Sequence, residues 1–186
     1  MRTHEEVRVS RDVEAVQIPF GDKIVIPAGS EVTITQALGG TFTVSTDFGY
    51  LARVDGKDAD ALGKEAPAAA QSSVDADTTA SPKEIEEKIW DELRTVYDPE
   101  IPANVVDLGL VYGVDVSDHA DGGYKIHVTM TLTAPGCGMG DVLKADAEQR
   151  VQAVQGVREA EVEMVTEPPW NQDMMSEAAR LELGIF

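Results

Sequence analysis

The sequence predicts an α+β protein in which a small N-terminal β-barrel-like domain is joined by a linker to an α-β-β-α-β-α domain with a three-stranded sheet. Three observations carry this. Residues 13–54 hold short apolar or alternating runs separated by Gly and Pro. Residues 57–80 are rich in alanine and nearly free of large apolar side chains. From Ser81 onward, helical and strand periodicities alternate. The expected boundaries are 1–56 for the β-rich domain, 57–80 for a flexible linker and 81–186 for the second domain.

In the first domain, Val13 to Ile18, Lys23 to Ile26, Val32 to Thr35, Thr41 to Val44 and Tyr50 to Val54 read as five strands. Pro19-Phe20-Gly21-Asp22, Pro27-Ala28-Gly29 and Gly39-Gly40 supply turns. Fewer than 60 residues make a marginal core, and closure into a barrel would hide the sheet edges. No catalytic constellation is visible here, and His4 stands alone.

The second domain opens on Ser81-Pro82-Lys83-Glu84, a helix start with a capping serine, proline at the first helical position and glutamate three residues after the cap. Ile85, Ile89, Leu93 and Val96 form one apolar stripe. Asp98-Pro99 ends the helical region, because a residue before proline disfavours helical geometry. Leu110 to Val116 and Tyr124 to Leu132 pair as a hairpin, the second strand alternating Ile126, Val128, Met130 and Leu132 against His127, Thr129, Thr131 and Thr133. A helix from about 140 to 154, a strand over 160–164 and a last helix over 174–183 complete the domain.

Composition narrows the function. The chain has 186 residues, 34 acidic against 15 basic, and a formal net charge of −19. Residues 83–186 alone carry 21 acidic and 8 basic side chains. This balance argues against binding nucleic acid or anionic lipid, and it leaves a basic protein partner open. No apolar run has the length of a membrane span. The N-terminus lacks a secretory core, and the single cysteine forms no intrachain disulfide. Together these predict a cytoplasmic protein.

That cysteine, Cys137, lies in Thr129-Met130-Thr131-Leu132-Thr133-Ala134-Pro135-Gly136-Cys137-Gly138-Met139-Gly140-Asp141, between a strand and a helix start. Backbone N–H groups at a helix start favour negative charge, and hence a thiolate, the form that binds metal. A buried structural thiol is the competing reading, but flanking glycines leave little bulk to cover the sulfur. Asp98 and Glu100 lie in a proline-pinned loop, with Asp107 beyond it. If that loop folds over the thiol, these carboxylates become oxygen ligands or proton acceptors. If not, they terminate a helix and form a turn. Carboxylates near the thiol would raise its pKa and oppose the helix. The histidines show no zinc spacing, and the glycines match neither a P-loop nor a dinucleotide fingerprint. One cysteine cannot hold an iron–sulfur cluster alone, since clusters normally take four ligands.

Asp98-Pro99-Glu100, Asp107-Leu108-Gly109-Leu110-Val111-Tyr112, Thr131 to Cys137, Pro168-Pro169-Trp170, and Met175-Ser176 followed by Ala179-Arg180 and Leu183-Gly184 stand in the order found in the iron–sulfur cluster assembly domain family. The chain resembles that family over about 82–186. With its N-terminal β-region, including Ile34 to Gly40, it is similar to the SufT-type bacterial auxiliary factors. The resemblance implies a non-enzymatic factor that assists cluster transfer to recipient proteins, with Cys137 as the reactive, cluster- or metal-binding residue. Asp98, Glu100 and Thr133 are implied as its surroundings, with Asp107 a further candidate from the loop carboxylates. It further implies a transient iron–sulfur cluster shared with a second chain or partner, and a homodimer. Its partners would be the assembly machinery and recipient apo-proteins. The alternative is a non-catalytic adaptor that binds partners through the acidic second domain. A cysteine-nucleophile enzyme is weaker, since no histidine is placed to activate the thiol.

Overall fold

The computed structural model describes residues 4–65, 80–134 and 138–185. The chain divides into two compact units, one comprising Met1–Ala69 with Pro99–Pro102, the other Ala70–Asp98 with Ala103–Phe186.

The first unit is an antiparallel sheet of β1 (Glu5–Arg8), β2 (Val13–Ile18), β3 (Lys23–Ile26), β4 (Glu31–Leu38), β5 (Thr41–Thr46) and β6 (Leu51–Asp55), in the order β1-β4-β5-β6-β2-β3. The five expected strands are present. The sixth, β1, has the charged sequence Glu5-Glu6-Val7-Arg8, which carries no apolar alternation, and forms by pairing with β4. No ladder joins β1 to β3 among the described residues, so hydrogen bonding gives a sheet with two end strands where closure was expected. Gly39 and Gly40, at φ +61° and +76°, make the two-residue β4–β5 turn, which needs positive φ at both central residues.

Alternate side chains of the strands, including Val13, Ala15, Ile26, Val32, Ile34, Val44, Ala52 and Val54, are buried in one core. A 3-10 helix, Gly56–Leu62, adds Ala59, Ala61 and Leu62 to it. These residues were expected to begin the linker. Small alanines look like linker in sequence, yet they pack closely here. Arg11 fastens this helix, donating to Asp60 at 2.9 and 2.7 Å and to Asp58 at 2.8 Å. Arg11 holds the Asp60 carboxyl below its ordinary range. The remaining expected linker residues, 66–79, lie outside the described residues. Pro99–Pro102 also belongs to this unit, and the Thr43 hydroxyl donates to the Pro99 carbonyl at 3.3 Å.

The second unit contains α1 (Pro82–Leu93), β7 (Val111–Asp118), β8 (Tyr124–Met130), α2 (Gly140–Gln152), β9 (Val157–Met164) and α3 (Glu177–Leu183). The capping box is formed: Ser81 Oγ accepts from the Glu84 N–H, and Glu84 accepts from the Ser81 N–H at 2.7 Å. Strand β8 is central, antiparallel to β7 and parallel to β9, with α2 as the crossover. Ile85, Ile89 and Leu93 of α1 are fully buried, as are Ala147 and Val151 of α2, with Leu143 nearly so. Ile126, Val128 and Met130 of β8 and Val162 of β9 fill the same layer. Helix α1 stops at Leu93, four residues before Tyr97, and the expected last helix is divided into a 3-10 turn at Gln172–Met174 and α3. No helix among the described residues is long and apolar enough to cross a membrane.

Candidate functional site

Cys137, the residue to which the sequence assigns the chemistry, lies with Pro135 and Gly136 outside the described residues. Both ends of its loop are described. On the strand side, Thr131 donates its backbone N–H to the Leu110 carbonyl and its hydroxyl to the Val165 carbonyl, each at 2.8 Å. On the helix side, the fully buried Met139 is the N-cap of α2, and its carbonyl accepts from Leu143 N–H at 2.9 Å. The two sides touch. A Cβ placed on Gly140 would lie 2.8 Å from Leu132 Cδ1, so glycine lets the leucine pack here without moving. Leu132 and Gly140, which flank residues 133–139 in sequence, thus approach each other closely.

The N-cap of α2 makes no side-chain hydrogen bond. Its first-turn N–H groups lack the capping oxygen that Ser81 supplies to α1 and Ser176 supplies to α3. A helix start of that kind favours an anion such as a thiolate.

The predicted carboxylates occupy different settings. Asp98 is 8% exposed, and its backbone N–H donates to Ala103 at 3.3 Å. This bond, the Tyr97–Asn104 bridge and the Val105 N–H to Val96 carbonyl bond close the 96–105 loop at its base. Glu100, exposed, falls in the Pro99–Pro102 stretch that belongs to the first unit. Asp107 is half-buried, and its carboxylate accepts from Asn104 Nδ2. Asn104 Oδ1 in turn accepts the N–H groups of Val106 and Asp107 at 3.0 and 2.8 Å. The structure thus gives Asp107 a turn-building job. Thr133 is half-buried, just beyond β8. Among the described residues no group of three or more His, Cys, Asp or Glu side chains could hold a metal ion.

Asn104 went unnoticed in the sequence as an organising residue, although the Asn-x-x-Asp spacing is the signal of such a turn. Beside it lies a second device. Trp170 Nε1 donates to the Leu108 carbonyl at 2.7 Å, Tyr112 donates its hydroxyl to the Pro168 carbonyl at 2.6 Å, and Ser176 N–H donates to the Asp107 carbonyl at 2.8 Å. The segment after β9 is thereby clasped to the loop before β7. Gly109, at φ +72°, lies in this clasp.

The sheet face away from the helices is charged. Lys125 bonds Glu159 at 2.6 Å, which raises the lysine pKa and lowers that of the glutamate. His127 sits 3.2 Å from Glu163 and 4.0 Å from Asp115. This face is acidic along β9, through Glu159, Glu161 and Glu163.

A family model described as iron-sulfur cluster assembly protein matches residues 86–164. A "Fe-S protein maturation auxiliary factor" of Porphyromonas gingivalis is 54% identical over 101 residues, covering 54% of this chain and 92% of that protein. The Bacillus subtilis "Fe-S protein maturation auxiliary factor YitW" is 39% identical over 101 residues, covering 54% of this chain and 95% of its own. The Staphylococcus aureus "Fe-S protein maturation auxiliary factor SufT" is 39% identical over 90 residues, covering 48% of this chain and 98% of its own.

Proposed function

The chain belongs to the iron–sulfur cluster assembly protein family, and on that premise we propose that it is a non-catalytic auxiliary factor that assists delivery of iron–sulfur clusters to recipient proteins through Cys137. The observation that carries this reading is the α2 N-terminus, which begins just after Cys137 in sequence and has no side-chain cap. A thiol close in sequence to such a helix start is drawn towards its thiolate. The cluster is cargo. One thiolate supplies one of the usual four ligands, so the others come from a second copy, an assembly protein or the recipient. Asp98, Glu100, Asp107 and Thr133 are proposed as surroundings of the thiol, Asp107 by fixing the turn and Asp98 and Glu100 from the adjoining loop. Few protein ligands favour hand-over above storage.

Anaerobic reconstitution with iron and sulfide tests this. Wild-type protein should show cluster absorption in the visible and retain iron on gel filtration, and Cys137→Ala should lose both while keeping its circular dichroism. Equal iron retention by Cys137→Ala rules the carrier role out.

A second reading has its own observation, the acidic face along β9. It makes the second unit an adaptor for a basic partner with the thiol incidental. Under it, Glu161→Lys with Glu163→Lys abolishes partner capture, and Cys137→Ala leaves recipient enzymes fully loaded.

A further inference from the structure

The six-stranded sheet of the first unit lies outside the matched residues 86–164 and carries its own unexplained feature. Phe20 is 66% exposed and Phe48 is 72% exposed. Leaving a phenylalanine in water forgoes about 1.5–3 kcal/mol of burial. Both occupy turns at one end of the sheet. Ile18, the last residue of β2, pairs with Leu51, the first of β6. That pairing puts the β2–β3 turn, with Phe20, and the β5–β6 turn, with Phe48, at the same end of two neighbouring strands. The Phe48 ring stacks on Tyr50, with centroids 6.1 Å apart and planes 12° from parallel.

Both turns are firmly built. The Thr46 N–H and hydroxyl each donate to the Tyr50 carbonyl at 3.0 Å, and the Gly49 N–H donates to the Thr46 carbonyl at 3.0 Å. Across the other turn, the Gln17 N–H donates to the Asp22 carbonyl and the Gly21 N–H to the Gln17 carbonyl, each at 2.8 Å. Aromatic groups on rigid turns lose little conformational freedom on binding, which favours a docking surface.

Charge selects the occupant. Asp22 and Asp47 are exposed in these same turns, with Lys23 beside Asp22 leaving Asp47 as the carboxylate without a neighbouring cation in sequence. A second copy would bring identical carboxylates together on a chain of net charge −19. Residues 66–79 of this chain carry two aspartates and no lysine or arginine, so they do not complement the surface. We infer that the Phe20, Phe48 and Tyr50 turns dock an extended, arginine-bearing segment of a protein partner. Its guanidinium lies over the Phe48 ring and pairs with Asp47, and its apolar neighbours cover Phe20. A flat cation suits both partners, since guanidinium stacks on aromatic faces and bonds carboxylate.

The test uses the full chain and a short capped peptide of repeating Arg-Pro-Leu, followed by calorimetry and amide NMR. Saturable binding is expected, with shifts concentrated at Phe20, Phe48 and Tyr50. Phe48→Ala should weaken it about tenfold or more. Asp47→Asn should weaken it about threefold and flatten its salt dependence. Both positions are exposed, and Phe20→Ser serves as a second variant should Phe48→Ala unfold. Cys137→Ala should bind like wild type, which separates this inference from the carrier role. The inference is overturned by absence of saturable binding, by equal affinity in Phe48→Ala and Phe20→Ser, or by equal binding of a Glu-Pro-Leu peptide. A concentration-dependent dimer abolished by Phe48→Ala would also overturn it.

Discussion

Gly109 is where a single atom has the largest consequence. Its φ of +72° is unfavourable for any side chain, and a Cβ there would stand 2.2 Å from the Met174 carbonyl oxygen. Gly109→Ala should therefore cost at least about 2 kcal/mol, read from urea unfolding followed by tryptophan fluorescence. The neighbouring Trp170→Phe keeps an aromatic ring but removes the indole N–H from the Leu108 carbonyl. A loss of about 1 kcal/mol is expected from the same measurement. The residue scale is also where sequence reading went furthest for the site and stopped soonest. Cys137 stands out because it is the only cysteine between glycines. Asp107 looked equivalent to Asp98 and Glu100 in sequence, because a carboxylate that builds a turn is the same letter as any other, and the bond from the Asn104 side chain, three residues away, reveals its turn role.

Among elements, α1 was the most legible. Its cap, first-turn proline and apolar stripe all act locally, and each is present in the structure. Ser81→Ala should destabilise the second unit by about 1 kcal/mol in denaturant unfolding. The same box has a pH signature. Hydrogen bonds from the Ser81 N–H and hydroxyl hold the Glu84 carboxyl below its ordinary value. The folded state thus favours the carboxylate, so its contribution is complete above the unfolded-state pKa. It is lost as pH falls through the lower folded-state pKa. The stability difference between wild type and Glu84→Gln should shrink across that window and vanish below it, as thermal melts at stepped pH would show. Strand β1 and the 3-10 helix at Gly56–Leu62 were not legible, for a common reason. Both are held by partners distant in sequence, β4 for the one and Arg11 and the sheet core for the other. Neither has a local pattern that announces it.

At the level of the whole chain, a net charge of −19 opposes compaction of either unit. Its surface ion pairs, such as Arg11–Asp60 and Lys125–Glu159, offset only part of this. Sodium chloride added from low ionic strength should therefore raise the melting temperature, and scanning calorimetry would report it. The change of composition after residue 56 falls inside the first unit, whose core takes in Ala59, Ala61 and Leu62, and the inclusion of Pro99–Pro102 in that unit has no sequence signal either. Two prolines in a short stretch signal a loop and say nothing about which core it joins. The placement of β8 between an antiparallel and a parallel neighbour has a further consequence, in deuterium labelling. Its amides at Ile126, Val128 and Met130 lie in the middle of the second unit, so their protons should be among the last to be replaced by solvent deuterium. Six residues separate Met130 from Cys137. Labelling times on either side of that interval would compare the strand that anchors the unit with the start of α2, beside the thiol proposed to meet other molecules.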